Sequence, residues 1–141
     1  GMLIGKGADV NLSPTDTGSS PLYIASCKGH SNVVGMLLAH GVNVNRPNLN
    51  GRSPLFAASR DGQVDIVGML IGKGADVNLS PTDTGSSPLY IASCKGHSNV
   101  VGMLLAHGVN VNRPNLNGRS PLFAASRDGQ VDIVGMLIGK G

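Results

Sequence analysis

The chain has 141 residues and a formal net charge of +3, and 13% of its residues are charged, about half of the ~25% usual in soluble domains. All eight acidic residues are Asp, with no Glu and no Trp, and the small cationic excess is interleaved with anions, which excludes the basic stripe of a nucleic-acid-binding surface. The longest apolar stretches, such as Val33 to Ala39, stop far short of the ~18 residues of a membrane span, and no charged segment or cleavage site of a secretion signal precedes Met2-Leu3-Ile4.

Residues 1–67 recur letter for letter as 68–134, and 135–141 repeat 1–7. Two identical copies argue against a single unique active site. The 67-residue unit is itself two diverged modules. Ser20-Pro21-Leu22-Tyr23 returns as Ser53-Pro54-Leu55-Phe56, Ser87-Pro88-Leu89-Tyr90 and Ser120-Pro121-Leu122-Phe123, at spacings of 33, 34 and 33 residues. We call the Tyr module type A and the Phe module type B. One extra residue in the loop Ser80-Pro81-Thr82 accounts for the longer spacing.

In chain order, Gly1-Met2-Leu3-Ile4 matches Gly68-Met69-Leu70-Ile71 and places the first residues inside a helix. Ser20 is then a helix N-cap whose hydroxyl accepts from an unpaired backbone N–H. Pro21 sits at the first helical position, where its missing N–H has no consequence. The helix runs from Pro21 to about Lys28 and stops at Gly29. Ser31 opens a second helix whose Val33, Val34, Met36, Leu37 and Leu38 form an apolar band too wide for a helix covered on one side. Gly41 follows it at the usual left-handed position. Val42 to Gly51 alternate and then turn, which predicts a short hairpin. Ser53 repeats the sequence of elements in type B, and the second 67-residue copy repeats both. Neither helix is long enough to be stable alone, so the apolar faces must be buried by neighbouring modules in a quasi-one-dimensional stack.

The pattern resembles the ankyrin repeat, with its Thr-Pro-Leu-His-x-Ala signature at a 33-residue period. Type A continues with Gly29-His30, Val33-Val34, Leu37-Leu38, Gly41 and Val44-Asn45. Type B continues with Gly62, Ile66-Val67, Leu70-Ile71 and Gly74-Ala75-Asp76-Val77-Asn78. The resemblance implies an all-α ankyrin-repeat solenoid of stacked helix-turn-helix pairs with short β-hairpin fingers. It divides the chain into the end of one repeat (1–13), then repeats A1 (14–46), B1 (47–80), A2 (81–113) and B2 (114–141). Ser replaces the signature Thr and keeps its hydroxyl; Tyr23 and Phe56 replace the signature His. Gly35 and Gly68 fall at an outward, normally charged, mid-helix position, where each costs roughly 0.5–1 kcal/mol relative to Ala.

Cys27 and Cys94 occupy the same place two modules apart. At 8–10 Å per helix layer they lie roughly 16–20 Å from each other, beyond the ~7 Å Cα separation of a disulfide. Free thiols fit a reducing, intracellular and cytoplasmic setting. No His or Cys partner stands at metal-ligand spacing, so neither a metal nor another cofactor is implied. His30 is replaced by Gln63 in type B, which favours a structural role in the inter-helix turn over catalysis. His40 near the end of its helix suits the dipole. Gly72-Lys73-Gly74 lacks the spacing of a phosphate loop and follows a helix instead of preceding one. No nucleophile, base and orienter come together, so the chain is read as having no enzymatic activity.

The resemblance implies a non-catalytic protein–protein interaction scaffold, with the partner bound by the concave groove and the fingers. Carried over position by position, type A presents Asp16, Thr17, Ser19, Cys27 and Lys28, repeated at Asp83, Thr84, Ser86, Cys94 and Lys95. Type B presents Leu49, Asn50, Arg52, Arg60 and Asp61, repeated at Leu116, Asn117, Arg119, Arg127 and Asp128. The partner is another protein, with no nucleic acid and no membrane. An alternative reading is a self-assembling structural array, because neither end resembles a polar capping repeat and head-to-tail stacking would continue the pattern.

Overall fold

A computed structural model describes residues 7–140. The expected helix at Met2–Ile4 lies outside the described residues. Within them are eight helices: α1 (Pro21–Lys28), α2 (Ser31–Ala39), α3 (Pro54–Arg60), α4 (Val64–Gly72), α5 (Pro88–Lys95), α6 (Ser98–Leu105), α7 (Pro121–Arg127) and α8 (Val131–Lys140). They form the pairs A1 (α1, α2), B1 (α3, α4), A2 (α5, α6) and B2 (α7, α8).

Local chemistry sets the helix ends as the sequence predicts. Ser20 Oγ accepts from the Tyr23 N–H at 3.1 Å, Ser53 from Phe56 at 3.1 Å, Ser87 from Tyr90 at 3.0 Å and Ser120 from Phe123 at 3.1 Å. Proline begins each of these helices. Gly29 and Gly96 end α1 and α5 in the left-handed region at φ 78°, which an L side chain enters only with strain.

The first helices (α1, α3, α5, α7) form one layer and the second helices the other, each packing on its counterpart in the next pair. Successive first helices lie closer together than successive second helices, so the stack curves with the first helices on its inner side. One core runs the length of the stack between the layers. Leu22, Leu55 and Leu89 enter it from the first layer; Val34, Ile66, Leu70, Val100, Leu104 and Leu137 enter from the second. Each such side chain contributes about 1.5–3 kcal/mol on burial, and the core they form is shared by successive pairs.

Three asparagines form a ladder along the loops that join the pairs. The Oδ1 of Asn11 accepts from the Asn43 N–H at 3.1 Å, that of Asn45 from Asp76 at 2.8 Å, and that of Asn78 from Asn110 at 2.8 Å. Each bond satisfies a loop N–H of one repeat with a side chain of the repeat before it.

Two expectations are revised. Among the described residues there is no strand: the finger segments are turns, closed in type B by the Asn48 N–H on the Arg52 carbonyl at 3.0 Å and by Gly51 on Asn48 at 3.0 Å. The type A loop closes one residue wider, with the Gly18 N–H on the Pro14 carbonyl at 2.8 Å, and this absorbs the extra residue of the 34-residue spacing. Gly35 and Gly68, expected to point outward, face the following pair. A Cβ at Gly35 would lie 3.3 Å from Met69 Cε, and one at Gly68 would lie 3.5 Å from Met103 Cε. The missing side chain therefore makes room for the methionine of the next second helix.

Candidate functional site

The inner face is built from the C-terminal ends of the first helices and the loops before them. Cys27 and Arg60 hold equivalent positions in consecutive repeats, so stacking sets them side by side. Arg60 Nη2 donates to Cys27 Sγ at 3.2 Å, while its Nε and Nη2 fork onto the two Asp61 oxygens at 3.1 Å each. The A2–B2 seam reproduces the arrangement: Arg127 reaches Cys94 Sγ at 3.2 Å and both Asp128 oxygens at 3.1 Å. Both thiols are free.

These contacts set the electrostatics of the face. Hydrogen bonding to Asp61 strengthens the hold of the Arg60 guanidinium on its proton, and Asp128 does the same for Arg127. In return, the bond from Arg127 draws the Asp128 carboxyl below its ordinary 3.8. Burial, reinforced by the neighbouring Cys27 thiol, raises the Tyr23 phenol above its ordinary 10.0.

The expected site residues are not equally available. Lys28, Lys95, Leu49, Leu116, Asn50 and Asn117 are exposed, with Leu49 at 67% and Leu116 at 69%. Both leucines are fixed by the backbone: the Leu49 N–H donates to the Thr17 carbonyl at 3.0 Å and Leu116 to Thr84 at 2.9 Å. Asp16 and Thr17 lie in an exposed loop, where Asp16 Oδ1 accepts from Thr17 N–H and Thr17 Oγ1 accepts from Ser19 N–H. Asp83 pairs with Arg52 of the preceding repeat at 3.6 Å, and Arg52 also lies 5.6 Å from the Phe56 ring centroid. Arg119 stands over Phe123 at 5.5 Å. Ser19 is half-buried and Ser86 is buried, so Ser86 offers a partner almost no surface. Arg60 is likewise committed within the stack and is not the free cation expected of a groove side chain.

The histidines take structural positions. His97 Nε2 lies 2.9 Å from the Arg60 carbonyl across the B1–A2 seam; a carbonyl only accepts, so Nε2 carries the hydrogen. A Cβ at Gly62 would lie 2.7 Å from His97 Nδ1, which shows how closely the ring packs on the preceding turn. His40 Nδ1 meets the Met36 carbonyl at 2.8 Å. Among the described residues no three His, Cys, Asp or Glu side chains could hold a metal ion, and no helix is long and apolar enough to cross a membrane.

Helix pairs at a near-33-residue period, Ser-Pro caps and left-handed glycines between the helices define a repeat unit, and a family model described as ankyrin repeats (3 copies) matches residues 2–81 and 80–141. The chain belongs to the ankyrin-repeat family. Ankyrin repeats are generally protein-interaction modules without catalytic activity of their own. A comparison with curated proteins finds no match. The inter-repeat contacts of this ankyrin array could have been read from the sequence in one respect. Residues 33 apart, such as Cys27 with Arg60 and Cys94 with Arg127, hold equivalent positions and become stacked neighbours.

Proposed function

We propose that this ankyrin array is a non-catalytic interaction scaffold that binds another protein along its inner face and fingers. The supporting observation is a pair of stations with the same geometry two repeats apart: Leu49 with Lys28 and the Cys27–Arg60–Asp61 cluster, then Leu116 with Lys95 and the Cys94–Arg127–Asp128 cluster. Each station offers an exposed leucine on a hydrogen-bonded turn, a fixed guanidinium–carboxylate fork, and an exposed lysine next in sequence to the cysteine that the guanidinium contacts. An extended or repetitive partner would engage both stations at once, so that the second contact forms at high effective concentration. The repeats 14–46, 47–80, 81–113 and 114–141 would act as one continuous surface in an intracellular, cytoplasmic setting.

The test is affinity capture with purified wild-type array against a variant carrying Lys28→Glu, Lys95→Glu, Leu49→Asp and Leu116→Asp. Among the described residues these side chains make no hydrogen bond or ion pair, and circular dichroism and melting of the variant establish that it is folded before capture is compared. A protein retained by the wild type and lost from the variant, then shown to bind as a purified component, supports the reading. Equal retention by both proteins refutes it.

A second reading, self-assembly of the array through its outer end faces, is supported by apolar side chains there. Val131 is 80% exposed, Ile138 64% and Phe123 46% on the B2 face, and Ile24 is 46% exposed on the A1 face.

A further inference from the structure

All five methionines hold one place in the repeat. Met2, Met36, Met69, Met103 and Met136 follow at spacings of 34, 33, 34 and 33 residues, each directly after a glycine. Those among the described residues lie in the second helices, and none lies in a first helix. Stacking converts this period into a series of contacts between consecutive second helices. A Cβ at Gly35 of α2 would lie 3.3 Å from Met69 Cε of α4. One at Gly68 of α4 would lie 3.5 Å from Met103 Cε of α6, and one at Gly102 of α6 would lie 3.3 Å from Met136 Cε of α8. Among the described residues, that methyl is in each case the one atom of another helix within 4 Å of the position. Each of these glycines is thus a slot that a single methionine of the next helix fills. Successive second helices are spaced more widely than first helices, and a flexible, unbranched thioether suits such a gap. Met69, Met103 and Met136 pack against the core yet stay only half-buried, so small solutes reach these side chains.

We infer that Met69, Met103 and Met136 are sites of reversible oxidation by peroxides, and that their sulfoxides loosen the stack along its second-helix layer. The sulfur lone pair attacks one oxygen of hydrogen peroxide. The S–O bond forms as the O–O bond breaks, and the other oxygen leaves as water. Sulfur gives up two electrons and the peroxide gains them, so no further reactant is needed. The product is polar where the thioether was apolar. Its oxygen accepts hydrogen bonds, and the slot has none to donate: glycine has no side chain, and mid-helix N–H groups are already bonded to carbonyls four residues back. An acceptor left dry there is unfavourable, so the oxide turns to water and draws the methyl out of the slot. Each seam holds one such contact, and in a stack of nearest-neighbour interfaces the effect accumulates seam by seam. The epimer-specific methionine sulfoxide reductases reverse the step: a dithiol is oxidised to a disulfide, the oxygen leaves as water, and the seam closes.

The test treats the purified 141-residue chain with hydrogen peroxide and then with dithiothreitol, which returns Cys27 and Cys94 to thiols. Peptide mass spectrometry locates the added oxygen, and urea denaturation followed by circular dichroism gives the midpoint. The comparison protein carries Met69→Leu, Met103→Leu and Met136→Leu, volume-conserving apolar swaps that leave Met2 and Met36 to report oxidation. The expected result is oxygen on all three methionines of the folded wild type and a lowered urea midpoint, recovered on treatment with the reductases and dithiol. The Leu variant keeps its midpoint through the same peroxide treatment. Should that variant fold poorly, the reductase step decides alone: a midpoint that stays low once the oxygen has been removed overturns the proposal. It is also overturned if the three methionines of the folded wild type take up no oxygen while free methionine in the same tube does. Full oxidation with no shift of the midpoint, or an equal fall in the Leu variant, overturns it as well.

Discussion

Phe56 and Phe123 have identical sequence surroundings, so truncating each to Ala isolates the contribution of the stack. Phe56 is 3% exposed, covered by A2, and Phe56→Ala should remove the transfer free energy of the ring and leave a cavity. For a buried Phe that sum is about 3–5 kcal/mol. Phe123 is 46% exposed, so roughly half of a ~1.5–3 kcal/mol transfer term applies, and its open site leaves no cavity. Phe123 also loses the guanidinium contacts of Arg119 at 5.5 Å and Arg127 at 5.9 Å, each about 0.5–1 kcal/mol at an exposed site; Phe56 loses one such contact, with Arg52. The expected losses are about 5 kcal/mol at Phe56 and about 2.5 kcal/mol at Phe123. Urea denaturation at a dilution where the chain is monomeric, followed by circular dichroism, measures both. Equal losses at the two sites would refute the argument that the following repeat supplies the covering atoms.

Gly62 and Gly129 form a second matched pair, at φ 71° and 68°. Gly62→Ala drives a Cβ to 2.7 Å from His97 Nδ1, whereas Gly129→Ala meets nothing within 4 Å; both carry the left-handed strain, so denaturation should show the larger loss at Gly62. Ser87→Ala removes the acceptor for the Tyr90 N–H at 3.0 Å and should lower stability by about 1 kcal/mol, with Ser87→Gly closer to wild type. The Asp128 carboxyl, held below 3.8 by the Arg127 hydrogen bond, binds its proton less readily folded than unfolded. Its contribution is present above 3.8 and lost as pH falls through the lower folded value; side-chain NMR titration should show this, and Arg127→Gln should return the carboxyl to its ordinary range. The Tyr23 phenol, raised above 10.0 by burial, has the opposite sign. Its contribution is intact below 10.0 and lost as pH rises through the folded value, which ultraviolet titration of a Tyr90→Phe variant would detect.

The sequence alone determined the period, the helices and their ends. Ser-Pro caps, left-handed glycines and apolar bands act over a few residues, so Pro21–Lys28 and its counterparts follow from local chemistry. The identical copies and the 33-residue spacing then made stacking obligatory, because neither helix of a pair can bury its apolar face alone. Tertiary packing decided what depends on the neighbouring repeat. The Asn48–Arg52 segment is a turn because its cross-strand bonding ends after one closure and its next backbone bond, from Leu49 to Thr17, goes to the preceding loop. Gly35 faces Met69 instead of solvent because the second helices stack with their glycines against the following methionines. Arg60 is held by Asp61 and Cys27 because equivalent residues of adjacent repeats superpose, a relation that appears in the sequence as a spacing and becomes a contact only in the fold. Identical sequences also become unequal surfaces: Phe56 is buried and Phe123 half exposed because burial belongs to the neighbouring repeat and not to the residue itself.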